Sequence, residues 1–311
     1  MQKPLVFIAR RLALDPGQVL GAGVEISLHD AETVLPREDL LRHVHGASAL
    51  VATLADEVDA ALLDAAPRLR IVANHAVGYD NVDVPACTAR GVWVTNTPDV
   101  LTDATADLAW ALILALARRL REGERLLRSG AFAGWAPTML LGRDLRDRTL
   151  GIFGYGRIGR AVARRGEGFG MRVLFNTRGG GVSFDELLER SDVISIHAPL
   201  TKGTHHAFGP SELLRMKRGA LLINTARGPI VDEAALVAAL EAGHLGGAGL
   251  DVFEEEPRVH PGLLQRDDVV IVPHLGSATR QTREEMARIA LSEVERVLRG
   301  EKPLHAVNEV P

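Results

Sequence analysis

This chain of 311 residues has little cysteine, no pattern typical of a signal peptide at its start and no long hydrophobic run. Cys87 is the only cysteine, so no internal disulfide can form, and a disulfide-stapled exported protein is disfavoured. The opening stretch MQKPLVFIARR has no apolar core followed by a small-residue cleavage site, which argues against a signal peptide. The longest apolar run, Leu108 to Ala117, is too short to span a bilayer. These absences predict a cytoplasmic protein that is not inserted in a membrane.

Strong net charge and metal-binding motifs are also missing. A formal charge of −4 gives no reason to expect nucleic acid or an anionic membrane surface as a partner. Neither HExxH nor CxxC occurs, and His205 and His206 are merely adjacent, so no metal site is predicted. The composition, 46% hydrophobic and 24% charged, is that of a globular chain with a sizeable core.

Two series of short β-branched runs alternate with helical patterns, which is typical of parallel sheets covered on both faces. A long helical pattern from Thr102 to Arg128 separates the two series, and another from Thr279 to Arg299 follows the second. The predicted fold class is α/β, with two doubly wound domains. The first series is LVFIA, VEISL, ALVATL, RIVAN and VWVTN, and the second is TLGIFG, RVLFN, VISIHA, ALLINTA, GAGLDVF and VVIVPH.

A glycine fingerprint occurs only in the second series, in the segment GIFGYGRIGRAVARR. Gly154, Gly156 and Gly159 form GxGxxG directly after a predicted strand and at the start of a predicted helix. In such a turn the first glycine permits the tight bend, the second lets the backbone approach a pyrophosphate, and the third allows close packing. A lone GxGxxG is a weak signal, but this context favours dinucleotide binding over a merely structural turn.

The nucleotide preference is predicted from the next strand, which ends in the turn NTRGG. About twenty residues after the fingerprint, a carboxylate commonly binds the ribose hydroxyls and repels a 2′-phosphate. Thr177 and Arg178 stand there instead, and a guanidinium suits a phosphate. NADPH is therefore the predicted cofactor and NADH the alternative, while a solvated turn arginine is the competing interpretation of Arg178.

Three polar residues follow later strands, where open α/β sheets bind their ligands. They are Arg227 in INTARGPIVDE, Glu256 in LDVFEEEP and His274 in IVPHLGSAT. Each alone has an ordinary explanation, because Arg227 could satisfy a helix end, Glu256 could be a solvated turn acid, and His274 a satisfied loop histidine.

Six ordered motifs together cover nearly the whole chain: NHAVGYDNVD, NTPDVLTDATADLAWALILALARR, GIFGYGRIGRAVARR, INTARGPIVDE, LDVFEEEP and VPHLGSAT. This succession resembles the D-2-hydroxyacid dehydrogenase family. WAPTMLLG, from Trp135, and the NTR turn are most similar to its glyoxylate/hydroxypyruvate reductase branch. The resemblance implies NAD(P)-dependent reduction of small 2-oxo acids such as glyoxylate and hydroxypyruvate.

The resemblance also implies a role for each matching residue. His274 would donate the proton, Glu256 would hold the imidazolium, and Arg227 would bind the substrate carboxylate and polarise the carbonyl. The backbone around Val77 and Gly78 matches the loop that receives the substrate carboxylate. The cofactor set is Gly154, Tyr155, Gly156, Arg157, Ile158, Gly159, Thr177, Arg178, His197, Ala198, Pro199, Thr225, Ala226, Asp251 and Gly276, in which Asp251 would position the nicotinamide amide.

The domain organisation follows from the same resemblance. Residues 1–98 and 287–311 would form a discontinuous flavodoxin-like substrate-binding domain, and residues 99–286 a Rossmann NAD(P)-binding domain. The apolar helix after Thr102 suggests the buried face of a homodimer, as in the family, or alternatively a purely internal helix.

Several neighbouring functions stay open at this point. Formate dehydrogenases of the superfamily have glutamine where Glu256 stands, which argues against that activity. D-lactate and phosphoglycerate dehydrogenase-type activities on another 2-hydroxy acid are alternatives. A non-catalytic NAD(P)-sensing protein similar to corepressors is another, although the full set of Arg227, Glu256 and His274 favours turnover.

Overall fold

The computed structural model describes residues 3–310, which form two compact units. The first unit comprises the chain up to Leu101 together with the chain from Ala278 onward, and the second is Thr102–Ser277. The sequence placed the two boundaries at 98/99 and 286/287. The second boundary lies earlier in the structure because the C-terminal helix, Arg280–Leu298, is one continuous element that packs on the first unit.

The first unit is built on a five-stranded parallel sheet. Its strands are β1 (Leu5–Ile8), β2 (Glu25–Leu28), β3 (Ala47–Ala52), β4 (Ile71–Asn74) and β5 (Trp93–Thr95). Their spatial order, β2-β1-β3-β4-β5, is the flavodoxin-like order of doubly wound sheets. The predicted class of this unit is therefore confirmed.

Helices cover both faces of this sheet because side chains alternate between the faces along each buried strand. Phe7 and Leu50 pack under three short helices, whereas Ile8 and Val51 pack against Ala290 and Leu291 of the C-terminal helix. The three helices are α1 (Arg37–Val44), α2 (Ala60–Ala65) and α3 (Val84–Ala89). Cys87 lies in α3 as a fully buried free thiol, and burial raises its pKa to about 12.

The second unit contains a seven-stranded sheet. Its strands are β6 (Thr149–Phe153), β7 (Arg172–Thr177), β8 (Gly180–Gly181), β9 (Val193–Ile196), β10 (Leu221–Asn224), β11 (Gly247–Leu250) and β12 (Val269–Ile271). The spatial order is β12-β11-β10-β9-β6-β7-β8, so the chain winds outward in both directions from β6 and β9, as in a Rossmann fold. The outermost strand β8 runs antiparallel to β7, because the turn at Arg178 closes a hairpin that the sequence did not predict.

Helices also cover both faces of the second sheet. They are α4 (Thr102–Ala117), α5 (Leu120–Arg128), α6 (Arg157–Gly168), α7 (Phe184–Arg190), α8 (Pro210–Arg215), α9 (Glu233–Glu241) and α10 (Pro261–Leu264). Buried side chains of α4 and α6 pack with Leu150 and Ile152, whereas those of α7, α8 and α9 pack with Ile194 and Leu222 on the other face. No helix within residues 3–310 is both long and apolar enough to cross a membrane.

The prediction of one helix from Thr102 to Arg128 is wrong. The helix ends at Ala117 and a new one starts at Leu120, because Arg119 adopts a left-handed conformation with φ 52°. The carbonyl of Ala117 accepts a hydrogen bond from the amide of Arg143 at 2.8 Å, and so a distant segment closes the end of α4.

Candidate active site

The candidate residues of the second unit lie at one edge of its sheet. The carboxyl ends of parallel strands meet there, and this is the edge at which doubly wound sheets bind ligands. Gly154 follows β6, Thr177 and Arg178 end β7, His197, Ala198 and Pro199 follow β9, Thr225, Ala226 and Arg227 follow β10, Asp251 follows β11, and His274 and Gly276 follow β12.

The turn after β6 requires glycine at two of its fingerprint positions. Gly154 has φ +95°, and an added Cβ would lie 2.5 Å from the amide nitrogen of Ala198. A Cβ on Gly159 would lie 2.2 Å from the carbonyl oxygen of Gly154. By contrast, a Cβ on Gly156 would meet nothing within 4 Å, so backbone at that position faces open space. These three environments fit a turn that approaches a ligand at Gly156 and packs tightly at the other two glycines.

Helix α6 starts at this turn with an uncapped N-terminus. Gly156 is the N-cap residue, and within residues 3–310 no side chain makes a capping hydrogen bond there. An anion at this end would satisfy those amides and the helix dipole. Tyr155 turns its ring away to stack on Phe175 at 4.0 Å, and Ile158 packs with the α6 core, so these two residues support the turn chiefly through packing.

The turn between β7 and β8 exposes the side chains of Thr177 and Arg178 to solvent. The hairpin is held by Asn176, whose Nδ2 donates to the carbonyl of Val182 at 2.8 Å. The carbonyl of Asn176 in turn accepts from the amide of Gly154 at 3.0 Å. The predicted ribose-side turn is therefore anchored directly to the glycine turn.

His197 is a half-buried imidazole beside these loops. Desolvation lowers its pKa to about 3, which favours the neutral ring, and its Nε2 lies 2.8 Å from the Oγ of Ser195. Its Nδ1 lies 3.5 Å from the Oγ1 of Thr225. The ring thus links the ends of β9 and β10.

Asn224 shapes the turn that carries Arg227. Its Nδ2 donates to the carbonyl of Arg227 at 2.8 Å, and its Oδ1 accepts from the amide of Ala226 at 3.0 Å. A Cβ on Gly228 would lie 1.8 Å from the carbonyl oxygen of Phe253. Because only glycine fits there, the Arg227 turn packs directly on the segment that leads to Glu256.

His274 and Glu256, which the sequence predicted as a catalytic pair, are joined by a direct hydrogen bond. The Nδ1 of His274 lies 3.0 Å from the Oε2 of Glu256, while the Oε1 of Glu256 accepts from the amide of Phe253 at 3.0 Å. Burial opposes ionisation of Glu256, but its bonds to His274 and Phe253 and the charge of Arg227 together lower its pKa. Glu256 is therefore an anion at neutral pH, and the positive charge of Arg227 is close enough to stabilise that anion.

Asp251 holds the segment that carries His274. It is fully buried, and its two carboxylate oxygens accept from the amides of Leu275 at 2.5 Å and Gly276 at 2.8 Å. The Oγ1 of Thr105 donates to the carbonyl of Gly276 at 3.0 Å. Burial raises the pKa of Asp251 to about 6, against the opposing effect of these amides. His274 itself has φ 52°, a conformation that these contacts maintain.

The sequence did not predict that two carboxylates, Glu233 and Glu254, would be linked beside the site. The amide of Glu254 donates to Glu233 at 2.7 Å, and the amide of Glu233 donates back to Glu254 at 3.2 Å. The Nε2 of His206 lies 2.5 Å from the Oε1 of Glu254. Both glutamates belong to motifs quoted above, INTARGPIVDE and LDVFEEEP, but no spacing rule pairs them. Together they tie the Arg227 turn to the Glu256 segment.

Val77 and Gly78 lie in the first unit, in the loop that follows β4 at the carboxyl edge of its sheet. Within residues 3–310, no group of three or more histidine, cysteine or acidic side chains could hold a metal ion.

Known proteins match this chain over nearly its full length. A family model for the D-isomer specific 2-hydroxyacid dehydrogenase NAD binding domain matches residues 110–276. A glyoxylate reductase of Thermococcus onnurineus is 48% identical, over 98% of this chain and 96% of that protein. A crystal structure of a Thermus thermophilus protein is 46% identical with a TM-score of 0.93, covering 98% of this chain and 100% of that one.

A second solved structure was determined with NADP and malonate. It is an NADPH-dependent glyoxylate/hydroxypyruvate reductase from Sinorhizobium meliloti, 35% identical with a TM-score of 0.86, covering 100% of this chain and 98% of that one. The sequence identity, the matched domain and the two folds all point to one family. The chain belongs to the D-isomer-specific 2-hydroxyacid dehydrogenase family.

Proposed function

We propose that this protein reduces small 2-oxo acids, glyoxylate and hydroxypyruvate first among them, to D-2-hydroxy acids with NADPH. The observation that carries the proposal is the His274–Glu256 pair, with Arg227 close by, at the edge of the sheet that also carries the glycine turn. The names of the glyoxylate reductases to which this chain is similar support the substrate class.

His274 is the proposed proton donor. Its Nδ1 is engaged by the anionic Glu256, so Nε2 is the nitrogen that carries the transferable proton. When bound, the reduced nicotinamide supplies a hydride to the carbonyl carbon. Arg227 is proposed to bind the carboxylate and polarise the carbonyl, an interaction that strengthens as negative charge grows on the oxygen. In the first unit, the amides of Val77 and Gly78 are proposed to bind a substrate carboxylate.

The residues around the glycine turn fit a dinucleotide. We propose that the α6 amides and the exposed Arg157 bind the pyrophosphate, and that Thr177 and Arg178 bind the 2′-phosphate of NADPH. The backbone of the loops after β9, β10 and β12 would line the remainder of the cofactor. These loops contain His197, Ala198, Pro199, Thr225, Ala226 and Gly276. Asp251 would meet the nicotinamide amide through the remaining lone pairs of its carboxylate.

A homodimer and a cytoplasmic location are part of the proposal. The outer face of α4 exposes Ala111 and part of Leu108, next to Asp103 and Asp107, which form ion pairs with Arg165. The irregular segment 131–148 exposes Trp135, at 80%, and Leu141, at 64%. Surfaces of this kind commonly bind a partner, and a second copy is the partner proposed here. The single buried thiol of Cys87 suits a reducing compartment.

A substrate panel tests the proposed function. We expect kcat/KM with NADPH to be highest for glyoxylate and hydroxypyruvate, with pyruvate slower but accepted, because one methylene changes transition-state binding by only about 1 to 3 kcal/mol. Phosphohydroxypyruvate and phenylpyruvate should be poor substrates. A clear preference for either of those two would leave the family membership intact and overturn the proposed substrate class.

The Glu256–His274 pair predicts a specific change in pH dependence. Glu256→Gln removes the anion that favours the protonated imidazole, so the pH at which reduction falls off should move downward. Glu255→Gln is the matched control, because that neighbouring carboxylate pairs only with the exposed Arg258. The measurement is kcat/KM for glyoxylate across pH, and equal profiles for the parent and Glu256→Gln would contradict the pairing.

A further inference from the structure

The loop after β4 has three successive peptide carbonyls that are all held within the first unit. The carbonyl of Ala76 accepts from the amide of Thr97 at 2.9 Å. The carbonyl of Val77 accepts from the Nδ2 of Asn96 at 2.8 Å, and that of Gly78 accepts from the Nδ2 of Asn74 at 2.8 Å. Two of the three donors are therefore asparagine side chains.

Holding these carbonyls fixes the direction of the amides between them. In a trans peptide, the carbonyl of one residue and the N–H of the next point in opposite directions. The amide of Gly78 therefore points away from Asn96, and the amide of Val77 away from Thr97. Within residues 3–310 neither amide donates to a backbone carbonyl, and both residues are partly exposed, so these donors are accessible to a ligand. Successive amides that point the same way form a concave anion site.

Asn74 is itself locked in the orientation that donates. It is fully buried, and its Nδ2 donates to the Oδ1 of Asn81 at 3.2 Å. The Nδ2 of Asn81 also donates to the carbonyls of Thr53 at 3.0 Å and Asp56 at 2.9 Å. A flipped Asn74 would bring its oxygen against the carbonyl of Gly78, so the network selects one orientation.

We propose that Asn74 and Asn96 are positioning residues, which aim the amides of Val77 and Gly78 at the carboxylate of the 2-oxo acid. The inference rests on the proposed function, in which those amides bind the carboxylate. Neither asparagine would touch the substrate. Each would act only by fixing a peptide plane, and so would affect binding of the acid rather than the transfer of hydride or proton.

The test uses leucine, whose side chain has nearly the shape of the asparagine side chain but no hydrogen-bond donor. In Asn74→Leu and Asn96→Leu we expect KM for glyoxylate to rise roughly ten- to hundredfold, since a fixed amide–carboxylate contact is lost. We expect kcat and the NADPH dissociation constant to stay within about threefold, below the roughly tenfold effect of one lost hydrogen bond. Asn308→Leu is the matched control, because Asn308 makes three hydrogen bonds elsewhere in the same unit.

One additional variant separates this inference from the proposed function. Gly78→Pro removes the amide hydrogen, so KM for glyoxylate should rise above that of Asn308→Leu. Equal KM values for Gly78→Pro and Asn308→Leu would overturn the role of the loop in carboxylate binding. A raised KM in Gly78→Pro alone, with both asparagine variants matching Asn308→Leu, would overturn the positioning role by itself. Thermal unfolding checks each fold, and the partly exposed Asn96 supplies the test if Asn74→Leu does not fold.

Discussion

Replacing His274 with alanine is expected to lower kcat for glyoxylate reduction by about two to four decades, the usual contribution of a positioned acid or base. The imidazole is the group that Glu256 orients at 3.0 Å, and removing it leaves no proton donor at that place. The glycine turn and Arg178 are untouched, so the dissociation constant of NADPH should change little. Steady-state NADPH consumption and fluorescence titration of the cofactor measure the two quantities.

His305→Ala is the control for this result. His305 also pairs with a glutamate, since its Nδ1 lies 2.6 Å from the Oε1 of Glu293, but it belongs to the first unit. Loss of an unrelated histidine–glutamate pair should affect thermal stability and leave kcat close to that of the parent. If His274→Ala kept kcat within tenfold of the parent, another group would have to donate the proton.

Replacing Arg178 with alanine is expected to weaken NADPH binding roughly 10- to 150-fold. Loss of one charge-assisted contact costs about 1.5 to 3 kcal/mol, and the proposed contact is with the 2′-phosphate, which NADH lacks. NADH binding should therefore be almost unaffected. Thr177→Asp should move the preference toward NADH, because a carboxylate repels the phosphate and accepts hydrogen bonds from ribose hydroxyls.

Arg68→Ala controls for the loss of a positive charge as such. Arg68 is exposed and lies in the first unit, so its removal should leave both dissociation constants unchanged. Fluorescence titration with NADPH and NADH gives the ratio of the two dissociation constants directly. Equal weakening of both cofactors in Arg178→Ala, or better use of NADH than NADPH by the parent, would remove the basis for the phosphate role of this turn.

The features that sequence predicted well depend on residues close together in the chain. The three glycines of the turn after β6 lie within six consecutive residues, so one short motif predicts the turn. The periodicity of the strands predicts the order of the elements. Because parallel strands share one carboxyl edge, the predicted positions of Arg227 and His274 follow from strand ends alone.

The features that sequence missed depend on contacts between distant segments. The helix breaks at Arg119, where the distant Arg143 donates to the carbonyl at the end of α4. No feature of residues 117–120 alone predicts this break. The requirement for glycine at 228 comes from Phe253, and the orientation of Gly78 depends on Asn96. Spacing rules describe one element at a time, so they cannot predict which of these partners will meet.

The discontinuity of the first unit has a consequence for biosynthesis. The second face of its sheet is covered by Ala290, Leu291 and Val294 of the C-terminal helix, which is synthesised only after the whole second unit. Until then, Ile8 and Val51 lack this helix, whereas the contiguous second unit can fold as soon as it emerges. The nascent chain thus carries an incompletely shielded sheet while the second unit is synthesised, and premature termination before this helix would leave a product prone to aggregation.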